Sequence, residues 1–285
     1  MFESLRYVLR RFLLVALLIL PLVALQPIGR ALGGSNIWTW FDRVPGANYA
    51  VSTITDSSWI YMITNTNPMQ LMRSNDAGLT WSAATLPPYS LAKGPMVLPN
   101  HSERLMIVMF DYGNSAWTPN YLSLDAGMTW QPMTVTSEAI GFSYVDPNEM
   151  YVTEGNAFKV STDSGKSWEA VGTIPEDCVC TTGSTYDCNG YRSQQIEPAP
   201  SAPSIIVMRM DAGNGGDSKL CRSADRGAHW AYVSAPFQRV WSIAFDPKNH
   251  NTMYAAAPGG GWKTTNGGVS WFPMANGLTE PQSFL

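Results

Sequence analysis

The chain has 285 residues, a formal net charge of −4 and 14% charged residues. This length suits one large domain, and the small negative charge excludes the basic surface that nucleic-acid binding requires. Aromatic residues make up 12% of the chain, and 24 glycines and 20 prolines are spread along it. Such a composition favours many short strands that are joined by turns.

Residues 1–33 are predicted to be a signal peptide or an N-terminal membrane anchor. Arg6, Arg10 and Arg11 precede an uninterrupted apolar run from Phe12 to Leu25. The run is shorter than a membrane span of ~20 residues, which favours a signal peptide. Cleaved or not, this segment places the rest of the chain outside the cytoplasm, because the positive residues stay inside. Contact with a membrane is expected only through this segment.

An eight-residue frame recurs five times in the rest of the chain, and each copy is called a turn frame below. Its pattern is Ser/Thr-x-Asp-x-Gly-x-Ser/Thr-Trp, with two deviations: His229 replaces the second hydroxyl residue of one copy, and Asn266 replaces the Asp of another. The defining residues are Asp76, Gly78, Trp81, Asp125, Gly127, Trp130, Asp163, Gly165, Trp168, Asp225, Gly227, Trp230, Asn266, Gly268 and Trp271.

The residue types of the turn frame predict a structural role. Asp bonds nearby backbone N–H groups, Gly permits the positive φ of a tight hairpin, and the hydroxyl residues bond across the turn. Trp is a large apolar side chain with one N–H to satisfy. Each frame is therefore predicted to be a self-locked hairpin turn whose indole packs on a neighbouring unit.

The turn frame resembles the Asp-box, or bacterial neuraminidase repeat. That repeat occurs in sialidases and other glycoside hydrolases, sortilin-type receptors and the photosystem II assembly-factor family. The resemblance implies a β-propeller, in which the boxes lie away from the active face. It says almost nothing about which ligand is bound.

The frames recur at intervals that are typical of four-stranded propeller blades. The predicted fold is an all-β propeller of four-stranded antiparallel blades over residues 34–285, with blades near 46–88, 89–136, 137–175, 176–235 and 236–277. Residues 277–285 fall where a further blade would begin. Two alternatives stay open: a five-bladed ring, or an incomplete larger ring.

Residues 37–45 resemble the outer strand that follows each frame, but they lack a frame. A sharper interpretation rests on Arg43-Val44-Pro45, which is similar to a motif near the start of sialidases. That resemblance implies that Arg43 grips a substrate carboxylate, a role that suits a planar guanidinium. The outer strand is the favoured interpretation.

The strand order predicts that the face opposite the frames carries function. After their second strands, two blades share Asp-x-Gly-Asn, beginning at Asp111 and at Asp211. The motif is good turn chemistry, and this is the favoured interpretation. The alternative is that Asp111 and Asp211 form the carboxylate pair of a glycosidase. A protein or glycan ligand is expected on this face.

The four cysteines, in and near a long insertion over residues 173–203, are Cys178, Cys180, Cys188 and Cys221. An even count in an exported chain predicts disulfides. Cys178 and Cys180 are too close to bridge easily, so each is expected to pair with Cys188 or Cys221. A zinc site is the alternative, but the spacing is not that of paired Cys-x-x-Cys knuckles. Residues 195–203 are predicted to be a stiff surface connector because they are proline-rich.

The sequence favours a binding or scaffold module, secreted or tethered to a membrane, with no metal or cofactor. It resembles photosystem-assembly-like exported proteins more than sialidases. A sialidase-like site needs three arginines, a Tyr–Glu pair and an acid, and the spacing of the sequence does not identify such a set. The alternative is a sialidase-like glycoside hydrolase that acts on glycans, possibly an incomplete one. A third alternative is a fragment without a function of its own.

Overall fold

The structure is a computed structural model that describes residues 47–52, 58–64, 69–87, 90–111, 116–137, 139–179, 191–212 and 217–274. Nearly every described element is a β-strand, and the strands form five sheets. The all-β propeller prediction is confirmed, because each sheet follows the chain in a four-strand antiparallel path. Among the described residues, no helix is long and apolar enough to cross a membrane.

The strands of each blade run outward in chain order. Blade 1 contains β1 (Ala47–Ser52), β2 (Ile60–Thr64), β3 (Leu71–Ser74) and β4 (Ser82–Ala84). Blade 2 contains β5 (Ser90–Leu98), β6 (His101–Asp111), β7 (Ala116–Trp117), β8 (Tyr121–Ser123) and β9 (Gln131–Pro132). The short β7 pairs with β6 outside the four-strand path.

The remaining blades follow the same order. Blade 3 contains β10 (Ile140–Phe142), β11 (Met150–Glu154), β12 (Ala157–Ser161) and β13 (Glu169–Thr173), and the short helix α1 (Glu176–Val179) follows it. Blade 4 contains β14 (Tyr191–Ala199), β15 (Ala202–Ala212), β16 (Ser218–Ser223) and β17 (Ala231–Val233). Blade 5 contains β18 (Ser242–Asp246), β19 (Asn249–Ala257), β20 (Gly260–Thr264) and β21 (Phe272–Met274).

Apolar side chains fill the spaces between successive blades. Four buried clusters are formed by the described residues, one between each pair of consecutive blades. The cluster between blades 3 and 4 contains Phe158 and Trp230, whose rings meet edge to face at 4.9 Å between centroids. The sheets of blades 2, 3 and 4 are therefore apolar on both faces, as is required when a blade is packed on both sides.

The prediction that residues 195–203 form a surface connector is wrong. The segment supplies the end of β14 and the start of β15, and Ile196, Pro198 and Ala199 are buried. Proline is tolerated here because β14 is the first strand of its sheet and has one unpaired edge. The first strands of neighbouring blades contact one another (β1 with β5, β10 with β14, and β14 with β18), which places β14 near the axis.

Candidate functional site

Each turn frame is held by hydrogen bonds within the frame. In the blade 3 frame, Oδ1 of Asp163 accepts from Ser161 Oγ at 2.8 Å and from Ser167 N at 2.9 Å, and Oδ2 accepts from Ser167 Oγ at 2.6 Å. Ser161 Oγ in turn accepts from Gly165 N at 2.8 Å. Ser164 and Gly165 have φ of 61° and 79°, a left-handed pair of the kind that hairpin turns need.

The hydrogen bonds set the acidity of the frame carboxylates. The pKa of Asp76 and of Asp163 falls to about 2, chiefly because a hydroxyl donates to each carboxylate. The pKa of Asp225 falls to about 2 because the His229 backbone and ring donate to it. These carboxylates stay charged at any physiological pH and are already fully bonded inside the turn. They are poor candidates for proton transfer.

Truncating one frame carboxylate gives a direct stability test. Asp125→Ala is expected to lower the free energy of unfolding by about 2 kcal/mol, because Oδ1 and Oδ2 accept from Ser123 and Thr129. Asp125→Asn is the control, because Asn266 in blade 5 keeps the same contacts to Ser270 with an amide. Urea unfolding should place the Asn variant close to wild type; equal losses in both variants would contradict the role given to the acceptor oxygen.

The frame tryptophans contact their own turn, and those of blades 2 to 5 also pack against the preceding blade. Nε1 of Trp81, Trp168 and Trp230 donates to the carbonyl of the frame glycine at 3.0–3.2 Å. Trp130 instead donates to Thr85 O of blade 1 at 2.8 Å. Within the described chain, the buried Nε1 of Trp271 has no acceptor.

The frames lie at the same end of each blade as the turn between its first two strands. Backbone N–H groups of four frames, in blades 2 to 5, donate to residues near the start of the second strand, as Arg226 N does to Ser204 O at 2.8 Å. We call this end of the propeller the frame face. Asp211 lies near the far end of β15 and therefore belongs to the opposite face.

Asp211 forms an ion pair on that opposite face. Its Oδ2 lies 3.4 Å from Nη2 of Arg209, and Nη1 of Arg209 donates to the carbonyls of Val240 and Trp241. Burial lowers the pKa of Arg209, Asp211 opposes that shift, and Arg239 adds to it. Asp211 Oδ1 and Arg209 Nε are both buried and have no partner among the described residues. A water molecule or a ligand hydroxyl would satisfy both.

Two of the predicted candidates fall outside what the structure describes. Arg43 lies outside the described residues, and Asp111 ends β6 but its side chain is not among those described. The proposed pairing of Asp111 with Asp211 therefore stays a prediction. Among the described residues, no group of acidic, histidine or cysteine side chains is arranged to hold a metal ion.

A disulfide joins Cys178 of α1 to Cys221 of β16. The bond fastens the segment that follows blade 3 to the third strand of blade 4. Lys219 reinforces the contact, because its Nζ donates to Asp177 O at 2.8 Å. Cys180 and Cys188 lie outside the described residues.

A carboxylate that the sequence did not single out lies near the axis. Glu197 of β14 accepts from Tyr144 Oη of blade 3 at 3.0 Å and from Gln195 Nε2 at 3.4 Å. Gln195 also bonds both backbone groups of Ile243 in β18, at 2.6 and 3.0 Å. The group thus connects three blades, close to the frame face.

The surroundings of Glu197 favour its protonated form. Burial raises the pKa of Glu197 to about 7, and the hydrogen bonds from Tyr144 and Gln195 offset only part of that shift. Among the described residues, no cation pairs with it. Burial and the nearby Glu197 carboxylate raise the pKa of Tyr144. A Tyr–Glu pair is thus present, but its phenol is a weak nucleophile, unlike the activated pair that a sialidase-like site requires.

The strand register shows why Glu197 is unusual. Glu197 pairs with Val207 of the second strand, and Val207 pairs with Arg222 of the third strand, the residue directly before the frame. The same register identifies one corresponding position in the first strand of every other blade. These positions hold Val51, Met96, Gly141 and Ala244. No clear sequence signal marks this carboxylate. Glu197-Pro198 has the same form as Asp146-Pro147 and Asp246-Pro247, but those two pairs stand at turns where the Asp side chain bonds a nearby N–H.

No family model matches the chain. A xyloglucanase of Hypocrea jecorina (strain QM6a) is 28% identical over 142 residues, which cover 46% of this chain and 16% of the enzyme. Among solved structures, the GH74 enzyme of Niastella koreensis superposes with a TM-score of 0.59 at 16% identity and covers 80% of this chain and 38% of its own. An ancestral GH74 enzyme gives 0.60 at 13% identity, with coverage of 84% and 32%. The structural likeness concerns the fold, and the chain spans well under half the length of these proteins.

Proposed function

We propose that this chain is an exported β-propeller that acts on glycans as a glycoside hydrolase, with xyloglucan-type polymers as the first substrate class to test. The observation that carries the proposal is the 28% identity to a xyloglucanase over 142 residues. The five blades of the described residues support it, because the superposed enzymes share the propeller fold. This proposal replaces the scaffold module that the sequence favoured.

Hydrolysis of a glycosidic bond needs two carboxyl groups about 5–9.5 Å apart. One protonates the leaving oxygen, and the other activates water or attacks the sugar. Glu197 and Asp211 do not form such a pair, because Glu197 pairs with Val207 and Asp211 lies four positions further along β15. At ~3.3 Å per residue, about 13 Å of strand lies between the two levels.

Asp211 has the features of a group that meets substrate on the face opposite the frames. Its Oδ1 is a buried acceptor that the described residues leave open, and Arg209 keeps Oδ2 in place. A sugar hydroxyl would donate to Oδ1. The proposed second carboxylate is Asp111, at the equivalent end of the second strand of blade 2.

The test is release of reducing ends from xyloglucan by the full chain. Asp111→Asn and Asp211→Asn are each expected to lower kcat by about 100-fold or more, because each removes a proton-transfer or nucleophilic group. Asp246→Asn is the matched control, because Asp246 ends β18 at a turn on the frame face, where its side chain accepts a hydrogen bond from Lys248 N at 2.8 Å. Its rate should equal that of wild type.

Two outcomes would contradict the proposal. One is a folded wild-type protein that releases no reducing ends from xyloglucan or other β-glucans. The other is a wild-type rate that survives both substitutions. Binding of a glycan without hydrolysis would return the protein to the class of binding modules.

An extracytoplasmic location is part of the proposal. The Cys178–Cys221 disulfide supports it, because such bonds persist in oxidising compartments. The basic and apolar residues of segment 1–33 support export as well. Whether that segment is cleaved decides between a secreted and a tethered protein.

A further inference from the structure

A cavity of about 430 Å³ opens between the frames of blades 4 and 5, and we call it the 4/5 cleft. Arg222, His229, Trp230 and Tyr232 of blade 4 line one wall, and Gly267 and Val269 of blade 5 line the other. Tyr232 and Val269 are 47% and 83% exposed, so apolar surface is available to a ligand. The cleft is separate from the opposite face, where Asp211 lies.

The corresponding cleft between blades 3 and 4 has a different composition. It measures about 320 Å³, and Val160 and Arg226 stand where the 4/5 cleft has Arg222 and Gly267. Arg226 forms an ion pair with the buried Glu149, so its charge is already neutralised. In the 4/5 cleft, Gly267 has no side chain and has a φ of 70°, which leaves space beside Arg222.

Arg222 is a cation without a described partner. No hydrogen bond or ion pair of its guanidinium exists among the described residues, and its Nε is buried without an acceptor. Burial lowers the pKa of Arg222. A partly desolvated charge of this kind is unfavourable unless an opposite charge compensates for it.

Arg73 shows what a purely structural arginine does at this position. Like Arg222, it directly precedes a frame, and its Nε also lacks an acceptor. Its Nη1, however, donates to the carbonyls of Asp125 and Ala126 in the next frame, at 3.4 and 2.9 Å. Its guanidinium also lies 5.1 Å from the Trp59 ring centroid. Arg222 has none of these contacts.

We propose that the 4/5 cleft binds a uronic acid unit of a glycan, with the sugar carboxylate on the Arg222 guanidinium and the sugar ring against Tyr232 and Val269. A planar carboxylate matches the guanidinium fork. A single negative charge fits best, because the cleft offers one uncompensated cation and Asp225 stands on its rim. The glycan nature of the ligand rests on the proposed function.

The test titrates the full chain with sodium glucuronate, with glucose as the neutral counterpart, and follows the intrinsic tryptophan fluorescence and the heat of binding. Glucuronate is expected to bind at least tenfold more tightly than glucose. Arg222→Gln should weaken glucuronate binding at least tenfold, because it removes the charge that the carboxylate meets. Arg73→Gln is the matched control and should leave glucuronate binding unchanged.

Three results would overturn the inference: no glucuronate binding, equal binding of glucose and glucuronate, or undiminished glucuronate binding by Arg222→Gln. Inorganic phosphate and glucose 6-sulfate are tested in parallel. Binding of either at Arg222 without glucuronate would also overturn it, since the site would then serve another oxyanion. Hydrolysis of neutral xyloglucan by Arg222→Gln should equal that of wild type. The two readouts therefore separate the proposals: glucuronate binding tests the 4/5 cleft, and xyloglucan hydrolysis tests the proposed function.

Discussion

Replacing Gly172 with alanine is expected to lower the melting temperature by about 6–12 °C, equivalent to about 3 kcal/mol in a domain of this size. Gly172 lies in β13, the outermost strand of blade 3. A Cβ at this position would lie 2.0 Å from Gly227 O and 2.7 Å from Ala228 O of the blade 4 frame. Both obstacles are backbone atoms of a rigid turn, so no side-chain rotation relieves the clash. The outer strand and the next frame must separate.

The matched control is Gly261→Ala in β20. A Cβ there meets only Met274 Cβ, at an ordinary 3.6 Å. Thermal unfolding of both variants isolates the blade-to-blade contact from the general effect of a methyl group on a strand. A Gly172→Ala protein that melts with wild type would contradict the close packing of blade 3 on the blade 4 frame.

Glu197→Gln is expected to change the pH dependence of stability. Because the pKa of Glu197 is raised from 4.5 to about 7, the folded state binds its proton more tightly than the unfolded state does. The stability that this proton contributes is present below pH 4.5 and is lost as pH rises through 7. At pH 8 the free energy of unfolding of the wild type should therefore be on the order of 3 kcal/mol lower than below pH 4.5, as far as Glu197 determines it. The glutamine variant, which carries no charge to bury, should be the more stable protein at pH 8.

Urea unfolding between pH 5 and pH 8 measures this effect. The wild-type free energy of unfolding should fall across the range, and that of Glu197→Gln should fall much less. Glu169→Gln, which removes an exposed carboxylate from β13, serves as the control and should follow the wild-type slope. If the free energy of unfolding of Glu197→Gln changed with pH in parallel with that of the wild type, ionisation of Glu197 would not destabilise the folded state, and the prediction would be wrong.

The turn frames were predictable because their chemistry is local. Asp163, Gly165 and Ser167 lie within a few residues of one another, and their bonding follows from residue type and spacing. The propeller follows from their repetition. The disulfide was also within reach, since Cys178 with Cys221 is one of the allowed pairings.

The unusual side chains were not predictable because their properties come from distant neighbours. Glu197 is defined by Tyr144 and Gln195, which sheet packing brings together. Arg73 and Arg222 occupy equivalent positions in the sequence pattern, and they are distinguished by the contacts of Arg73 with Trp59 and with the frame of the following blade. The spacing of residues along the chain does not reveal that difference.

The central claim is that this propeller acts on glycans. It is tested most directly by affinity gel electrophoresis of the intact, folded chain through xyloglucan, with dextran as the comparison polymer. The account predicts that xyloglucan retards the protein in a saturable way, with a Kd of about 1 mM or tighter, and that dextran does not. Migration at the same rate in both polymers, by a protein whose thermal unfolding is cooperative, would contradict the assignment of this propeller to glycans.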